Sequence, residues 1–492
     1  MSRTRDTRCG CSRTYRGSPL YVSGIGIILQ TMFYNIIDIL LTKIPSMGRR
    51  YRLIRSAMTY HIGRRTVLKG VAGTGLTLTV SGIASANERT RYLVRVGRDR
   101  AADRIERAGY EIRNELAAGE VLLVEGPEDS QDDLRNVRGV QIAIPDFEVR
   151  LEDPIGEQEA GVTRDRPEYW DLQWDKHVTD VEQAHDIATG DGTTIAILDT
   201  GIDHTHPDLG NVNVEKSRSV YGGELRQHTG DPHYHGTHVA GIAAGTGEEG
   251  ILGTAPDAEL ISLRVFTFGE EEQPDFWSDL LLALEYAADQ GADAANMSIG
   301  TLETLPPQVN AGGVRGVMQP VMHHATRQGT VVVASAGNHG ESLQQGGTFT
   351  IPNSLSGVMS VSATGPNDEL VFYSNWGTNE IDVGAPGGGY ETLERTLDPE
   401  ADVDWPYPTN LVLSSLPTAE GDPRVPGRYG YLGGTSMAAP QVVGAVALVK
   451  DAHPDLNAKQ VENAIKQGAD LVRGRGDSEL GAGRLNAHDA LE

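Results

Sequence analysis

Three residues of this 492-residue chain have the types that a hydroxyl nucleophile requires: Asp199, His235 and Ser436. A serine hydroxyl is weakly nucleophilic at neutral pH and needs a base. An imidazole base needs a buried carboxylate to fix its tautomer. Each residue sits in a stretch of distinctive composition. Asp199 lies in Ala196-Ile197-Leu198-Asp199-Thr200-Gly201-Ile202-Asp203, where the apolar, β-branched run Thr194–Leu198 predicts a buried strand delivering an acid at its C-terminal end. His235 opens His235-Gly236-Thr237-His238-Val239-Ala240-Gly241, the start of a small-residue helix. Ser436 lies in Gly433-Gly434-Thr435-Ser436-Met437-Ala438-Ala439-Pro440. Val442, Val443, Val446, Leu448 and Val449 follow, predicting a buried helix with Ser436 at its N-terminus. A serine there also serves as an N-cap; the company of the other two stretches favours the nucleophile.

The order Asp, His, Ser and the three multi-residue motifs resemble the subtilase family of serine proteases from about Tyr169 to Glu492. Within it the chain is similar to the secreted halolysin-like proteases of halophilic archaea. The resemblance implies a serine endopeptidase in which Asp199 supports the base and His235 takes the proton from Ser436. His238 would be structural. It implies an oxyanion donor at Asn338, in Ala334-Ser335-Ala336-Gly337-Asn338, helped by the backbone N–H of Ser436. Taken alone, an Asn after Gly is a turn residue. Ser298, Ile299 and Gly300 would form an edge that pairs with extended substrate, and Ser335, Ala336 and Gly337 the opposite pocket wall. Thr301 stands where many relatives have glycine, so the pocket rim is expected to differ; a broad apolar preference before the cut is expected. Asp208, in His206-Pro207-Asp208-Leu209, matches a calcium carboxylate of the family, although the loop 245–250 lacks the family's usual asparagine. No organic cofactor is implied, and His204, His206, His228 and His233 read as solvated loop histidines rather than a metal site.

The elements that must position these residues alternate along the chain. Thr194–Leu198, Glu259–Val265, Ala292–Ser298 and Thr330–Ala334 predict strands. His238–Ala244, Phe276–Asp289 and Gly316–Arg327 predict helices between them. That alternation predicts an α/β domain of three layers around a mostly parallel sheet, with the site at strand C-terminal ends. Two stretches read as added loops: Thr301–Gln319 and the acidic Glu391–Asn410.

Upstream, residues 87–151 carry a βαββαβ pattern, predicting a small ferredoxin-like domain. The strands are Arg91–Val96, two within Glu111–Glu125, and Val140–Val149; the helices are Arg98–Ala108 and Asp129–Val137. Its position resembles a subtilase propeptide, the enzyme's own intramolecular inhibitor; an independent small domain is the alternative. Residues 152–168 read as a processing linker whose cut position is not legible. The catalytic domain is then expected at 169–492; Gly481–Ala487 resembles the family's catalytic-domain terminus, so no C-terminal extension is expected.

Residues 1–86 hold a net charge of +11 and residues 87–492 a net of −37, with only five lysines in the latter. So acidic a surface argues against nucleic-acid binding. Its self-repulsion is screened in concentrated salt, which points to a very salty working environment. Gly63-Arg64-Arg65-Thr66-Val67-Leu68-Lys69, an uncharged run and Ala84-Ser85-Ala86 form a twin-arginine export signal. Such signals begin chains, so translation is expected to start at Met47 or Met58. The apolar stretch 20–41 offers the alternative of a membrane anchor. Cys9 and Cys11 precede all of this, so an exported protein would carry no disulfide. A secreted monomer acting on proteins is expected, degradative or maturing in role. A catalytically silent peptide-binding relative is the rival of another class.

Overall fold

The computed structural model describes residues 89–97, 101–151, 154–159, 167–268, 275–301, 304–311, 313–344, 347–417, 428–472 and 476–492. The export signal, the 20–41 segment, the cysteine pair, the candidate start methionines and part of the linker lie outside them.

The first unit is a four-stranded antiparallel sheet of β1 (Arg89–Val96), β2 (Glu111–Leu116), β3 (Val121–Pro127) and β4 (Val140–Pro145), in the order β2-β3-β1-β4. Helices α1 (Ala101–Arg107) and α2 (Gln131–Asn136) complete the expected βαββαβ order. Alternate residues of β1 face opposite ways, as a strand requires. Tyr92 and Val94 pack with Ile105 and Leu134 beneath the unit's own helices. Leu93 instead joins a core shared with the larger domain, along with Leu123 and Ile144.

The larger domain is built on an eight-stranded sheet, ordered β13-β12-β11-β10-β6-β9-β7-β8. Its strands are β6 (Thr194–Asp199), β7 (Arg218–Tyr221), β8 (Glu224–Gln227), β9 (Glu259–Arg264), β10 (Ala294–Met297), β11 (Val331–Ser335), β12 (Val358–Thr364) and β13 (Val383–Pro386). All neighbours run parallel except the edge pair β7–β8. β10, β11 and β12 are buried throughout; β11 reads as a nearly continuous apolar run, whereas β12 carries buried Ser360, Ser362 and Thr364 at alternate positions. On one face, Ile195 and Ile197 pack with α3 (His235–Ala244) and the helix Thr435–Ala452. On the other, Ala196 and Leu198 pack with α4 (Trp277–Asp289) and α5 (Val314–Gln328). The chain is thus a subtilisin-like three-layer α/β domain preceded by a ferredoxin-like unit. β6 lies where the chain, having built β7 and β9 on one side, crosses to β10 on the other. Open sheets bind ligands at such a reversal, beyond the strand C-termini, and Asp199 ends β6.

Three expectations need correction. Part of the linker is a strand: β5 (Ile155–Glu159) pairs antiparallel with β15 (Tyr429–Gly433), which also pairs β14 (Val412–Ser415). Backbone pairing needs no apolar periodicity, so the strand leaves no pattern in the residues. The stretch 301–319 is not one loop, since it holds a short helix Pro307–Ala311 and the first turns of α5. Within Glu391–Asn410 a short helix, Leu393–Leu397, is tied down by buried Thr396, whose carbonyl accepts from Asn410 Nδ2 at 2.8 Å.

Candidate active site

Asp199 is fully buried at the end of β6, and His235 is the first, equally buried residue of α3. His235 Nδ1 lies 2.8 Å from Asp199 Oδ1, which also accepts the backbone N–H of Thr200 at 2.7 Å. An Nδ1–H donated to the carboxylate leaves Nε2 as the basic lone pair. Among the described residues, His235 Nε2 and Asp199 Oδ2 have no hydrogen-bond partner.

Ser436 is the second residue of α6 (Thr435–Ala452) and nearly buried, at 5% exposure. Its Oγ donates to the carbonyl of Ser298 at 3.4 Å, and Ser298 Oγ donates to the Ser436 carbonyl at 2.7 Å. The structure therefore joins the nucleophile to the edge segment and does not join it to the imidazole by a hydrogen bond. Such bonds are often long before substrate arrives and tighten in the complex.

Asn338 follows β11. Its Oδ1 accepts both the N–H and the Oγ1–H of Thr435, at 2.9 and 2.8 Å. These two bonds fix the orientation of the side-chain amide through its oxygen. A Cβ built on Gly434 would lie 3.7 Å from both Asn338 Nδ2 and the Ser436 backbone nitrogen. The two donors border one small space that glycine leaves clear, as an oxyanion hole requires.

Ser298, Ile299 and Gly300 continue from β10, and Gly300 forms an antiparallel bridge with Arg150. Ser335 ends β11, and Ala336 and Gly337 follow it; all three are buried. Gly337 has φ +98°, and a Cβ there would fall 2.6 Å from Asn375 Nδ2. Sequence reasoning missed Asn375. Its Nδ2 donates to Ala336 O at 2.9 Å, and its Oδ1 accepts from His339 N and Glu341 N at 3.2 and 3.1 Å. It holds the loop carrying Asn338, but an Asn in Ser374-Asn375-Trp376-Gly377 reads as any turn residue.

Asp208 does not fit calcium. Its Oδ1 accepts the N–H of Glu249 at 2.7 Å; its Oδ2 accepts those of Gly250 and Ile251 at 3.0 Å and the Tyr429 hydroxyl at 2.8 Å. Four donors aim positive hydrogens at the carboxylate, where a cation would need further oxygens. Asp208 is therefore corrected to the centre of a loop-anchoring cap. Burial, then the adjoining carboxylate, raise the Tyr429 phenol. Among the described residues no group of three or more His, Cys, Asp or Glu is placed to hold a metal. Of the loop histidines, His204 is exposed, but His206 and His228 are buried, which corrects the solvated reading. Their Nε2 groups bond the carbonyls of Arg428 and Ile202 at 3.0 and 3.2 Å.

Residues 190–483 match the model of the subtilase family. The chain belongs to the subtilase family. It is 32% identical over 335 residues to thermitase of Thermoactinomyces vulgaris, covering 67% of this chain and 99% of that protein. It is 31% identical to halolysin of Haloferax mediterranei, covering 70% of this chain and 57% of that protein. Among solved structures, the epidermin leader peptide processing serine protease of Staphylococcus aureus superposes with a TM-score of 0.64 at 23% identity, covering 82% of this chain and 98% of that one. This last likeness concerns the fold. This subtilase is accordingly a serine endopeptidase. Among its described residues no helix is long and apolar enough to cross a membrane.

Proposed function

We propose that this subtilase is an exported, self-processing endopeptidase that cleaves extended polypeptides in concentrated salt. Asp199 orients the imidazole, His235 takes the Ser436 proton, and Ser436 attacks the carbonyl. Asn338 and the Ser436 N–H hold the resulting oxyanion. His235 then returns the proton to the leaving amine, and water hydrolyses the acyl-enzyme by the same route in reverse.

The observation that carries self-processing is the course of the chain leaving the ferredoxin-like unit. Arg150 bridges antiparallel to Gly300, in the segment whose Ser298 carbonyl bonds Ser436 Oγ. Only five residues later, Ile155 pairs with Gly433, three residues before Ser436. The chain thus pairs, as an added strand, with two segments linked to Ser436 by a hydrogen bond or by sequence, and extended substrates bind by such pairing. The unit itself docks through Arg91, which is buried against Asp146 and Asp279 of α4 at 3.0 and 3.2 Å. The backbone N–H of Ala117 also donates to Glu285 Oε2 at 2.8 Å. These contacts support residues 87–151 as the enzyme's own inhibitor. Export by the twin-arginine route and action in brine rest on Arg64-Arg65 and on the net charge of −37 over residues 87–492.

The test is to express the full chain and its Ser436→Ala variant in concentrated salt and sequence the new amino termini. The wild type should yield one terminus between Leu151 and Ile155, and the variant should stay whole. An intact wild type that is folded and inert towards a fluorophosphonate would overturn the proposal. Profiling the mature enzyme on denatured proteins then separates scattered degradative cutting from a single maturation motif.

A further inference from the structure

Asp231 lies four residues before His235, outside every motif that drew attention in the sequence. Its Oδ1 accepts the Thr200 hydroxyl at 2.8 Å and the His233 N–H at 2.9 Å. Its Oδ2 accepts the Thr237 hydroxyl at 2.6 Å and the Thr237 N–H at 3.0 Å. All four contacts donate to its oxygens, so Asp231 acts as the acceptor throughout and dictates where both hydroxyl protons point.

The consequence lies on the other side of each hydroxyl. With its proton directed to Asp231, each oxygen accepts a backbone N–H from the opposite segment. Thr200 Oγ1 accepts from Gly236 N at 2.9 Å, and Thr237 Oγ1 accepts from Asp203 N at 3.0 Å. Thr200 follows Asp199 directly, and Gly236 follows His235 directly. The two segments are cross-tied in both directions, with Asp231 at the centre.

At Asp199 and His235 themselves the segments meet backbone to backbone. A Cβ on Gly236 would lie 2.1 Å from the Gly201 carbonyl oxygen, and one on Gly201 would lie 2.1 Å from the Gly230 carbonyl oxygen. The apolar packing of Ile195 and Ile197 against α3 holds the elements together further along; at this end the directional hydrogen bonds add the fine orientation.

We propose that Asp231 is a positioning residue for peptide hydrolysis: through Thr200 and Thr237 it fixes the separation and orientation of Asp199 and His235. The proposal rests on the reading of His235 as the general base. A displacement of about 1 Å in such a site costs on the order of a hundredfold in rate, which a threonine hydroxyl turned the wrong way is enough to produce.

The experiment uses the full chain, matured by its own processing, with Asp231→Ala, Asp231→Asn, Thr200→Val and Thr200→Ser. The readouts are kcat and KM on a peptide substrate, the acid limb of the pH profile of kcat/KM, and the downfield proton resonance of His235 Nδ1–H. Asp231→Ala and Thr200→Val should each lower kcat at least about tenfold with KM within about threefold. Both should move the acid limb and the Nδ1–H resonance. Thr200→Ser, which keeps the hydroxyl, should restore the wild-type profile, and Asp231→Asn, which keeps one acceptor, should fall between. If Asp231→Ala fails to mature, Thr200→Val decides, because it keeps the volume and removes only the hydroxyl. Variants with wild-type kcat, acid limb and resonance, even with a lowered melting point, overturn the proposal. Failure of the base assignment itself looks different: the wild type would then lack a pH limb that disappears on replacing His235.

Discussion

His235 Nδ1 and Asp199 Oδ1 stand 2.8 Å apart with both side chains wholly out of water, while His235 Nε2 has no partner among the described residues. The pair fixes which imidazole nitrogen is basic. Asp199→Asn would present an NH₂ or a neutral oxygen to Nδ1 and free the ring to adopt the other tautomer. We expect kcat to fall by about 10⁴-fold, with the fold and KM little changed. Equal kcat in purified, matured Asp199→Asn enzyme would remove Asp199 from the mechanism.

Asn338 is set by Thr435, whose N–H and hydroxyl both engage its Oδ1. Asn338→Ala deletes one oxyanion donor and should lower kcat by about 10²–10³-fold with KM nearly constant. Asn338→Asp should be at least as damaging, since it places negative charge where the oxyanion develops. Loss expressed in KM rather than in kcat would show Asn338 to be a ground-state contact.

The contrast between Asn338 and Asn375 shows how far the sequence could be read. The strands and helices around Asp199, His235 and Ser436 were legible because buried parallel strands are continuous apolar runs bounded by glycine. Their register with one another was not, and it is register that carries β5 past Gly433. Asn338 was legible as a candidate because it ends a motif; Asn375, equally engaged, sits in a stretch with no periodicity. Asp208 misled because its residue type suits a cation, whereas its surroundings supply N–H groups that no sequence displays. Asp231 was lost among the many acids of an acidic surface.

Acid should destabilise the fold through buried histidines. Burial lowers His238 to about 3 from 6.5, and lowers His185, His206 and His228 in the same direction. Below pH 6.5 the unfolded chain binds protons that the native histidines refuse, so stability present above that pH is lost as pH falls. Each such group contributes at most about 1.4 kcal/mol per pH unit. Asp231, Asp279 and Asp293, raised by burial, act in the opposite sense, adding stability as pH falls through their raised values. Denaturation midpoints of Ser436→Ala, which cannot digest itself, should therefore drop between about pH 6.5 and 5. His238→Gln, able to donate to Gly430 O as His238 Nε2 does at 3.0 Å, should flatten the slope. A midpoint independent of pH in that window would contradict the assignment.

Salt should act in the opposite way to acid. With a net of −37 on residues 87–492, repulsion between exposed carboxylates opposes the compact state. Raising sodium chloride from about 0.2 M to 3 M shortens the Debye length to less than the spacing of most surface charges. The midpoint of Ser436→Ala should rise with salt, and potassium chloride should serve as well as sodium chloride. A midpoint that falls with salt would mean that attractive surface pairs outweigh the repulsion.

The docking of the ferredoxin-like unit should respond to substitution but little to salt. Arg91 lies at 8% exposure between Asp146 and Asp279, with the Phe276 ring 4.3 Å from its guanidinium carbon and Ser278 Oγ accepting from it. Asp279 also accepts the Gly223 N–H at 2.7 Å, so it cannot turn away to water when its partner is lost. Arg91→Ala leaves two buried carboxylates uncompensated, a change that costs about 3–5 kcal/mol in buried pairs. In a Ser436→Ala background, hydrogen exchange should rise across β1 and β4 and across the start of α4. Because the cluster is buried, screening reaches it weakly, and the excess exchange should persist in concentrated salt. Arg91→Lys should recover only part of the loss, since one ammonium cannot match the guanidinium fork that serves Asp146 through Nε and Nη2. Exchange unchanged by Arg91→Ala would show that the apolar contacts of Leu93, Leu123 and Ile144 hold the unit without it.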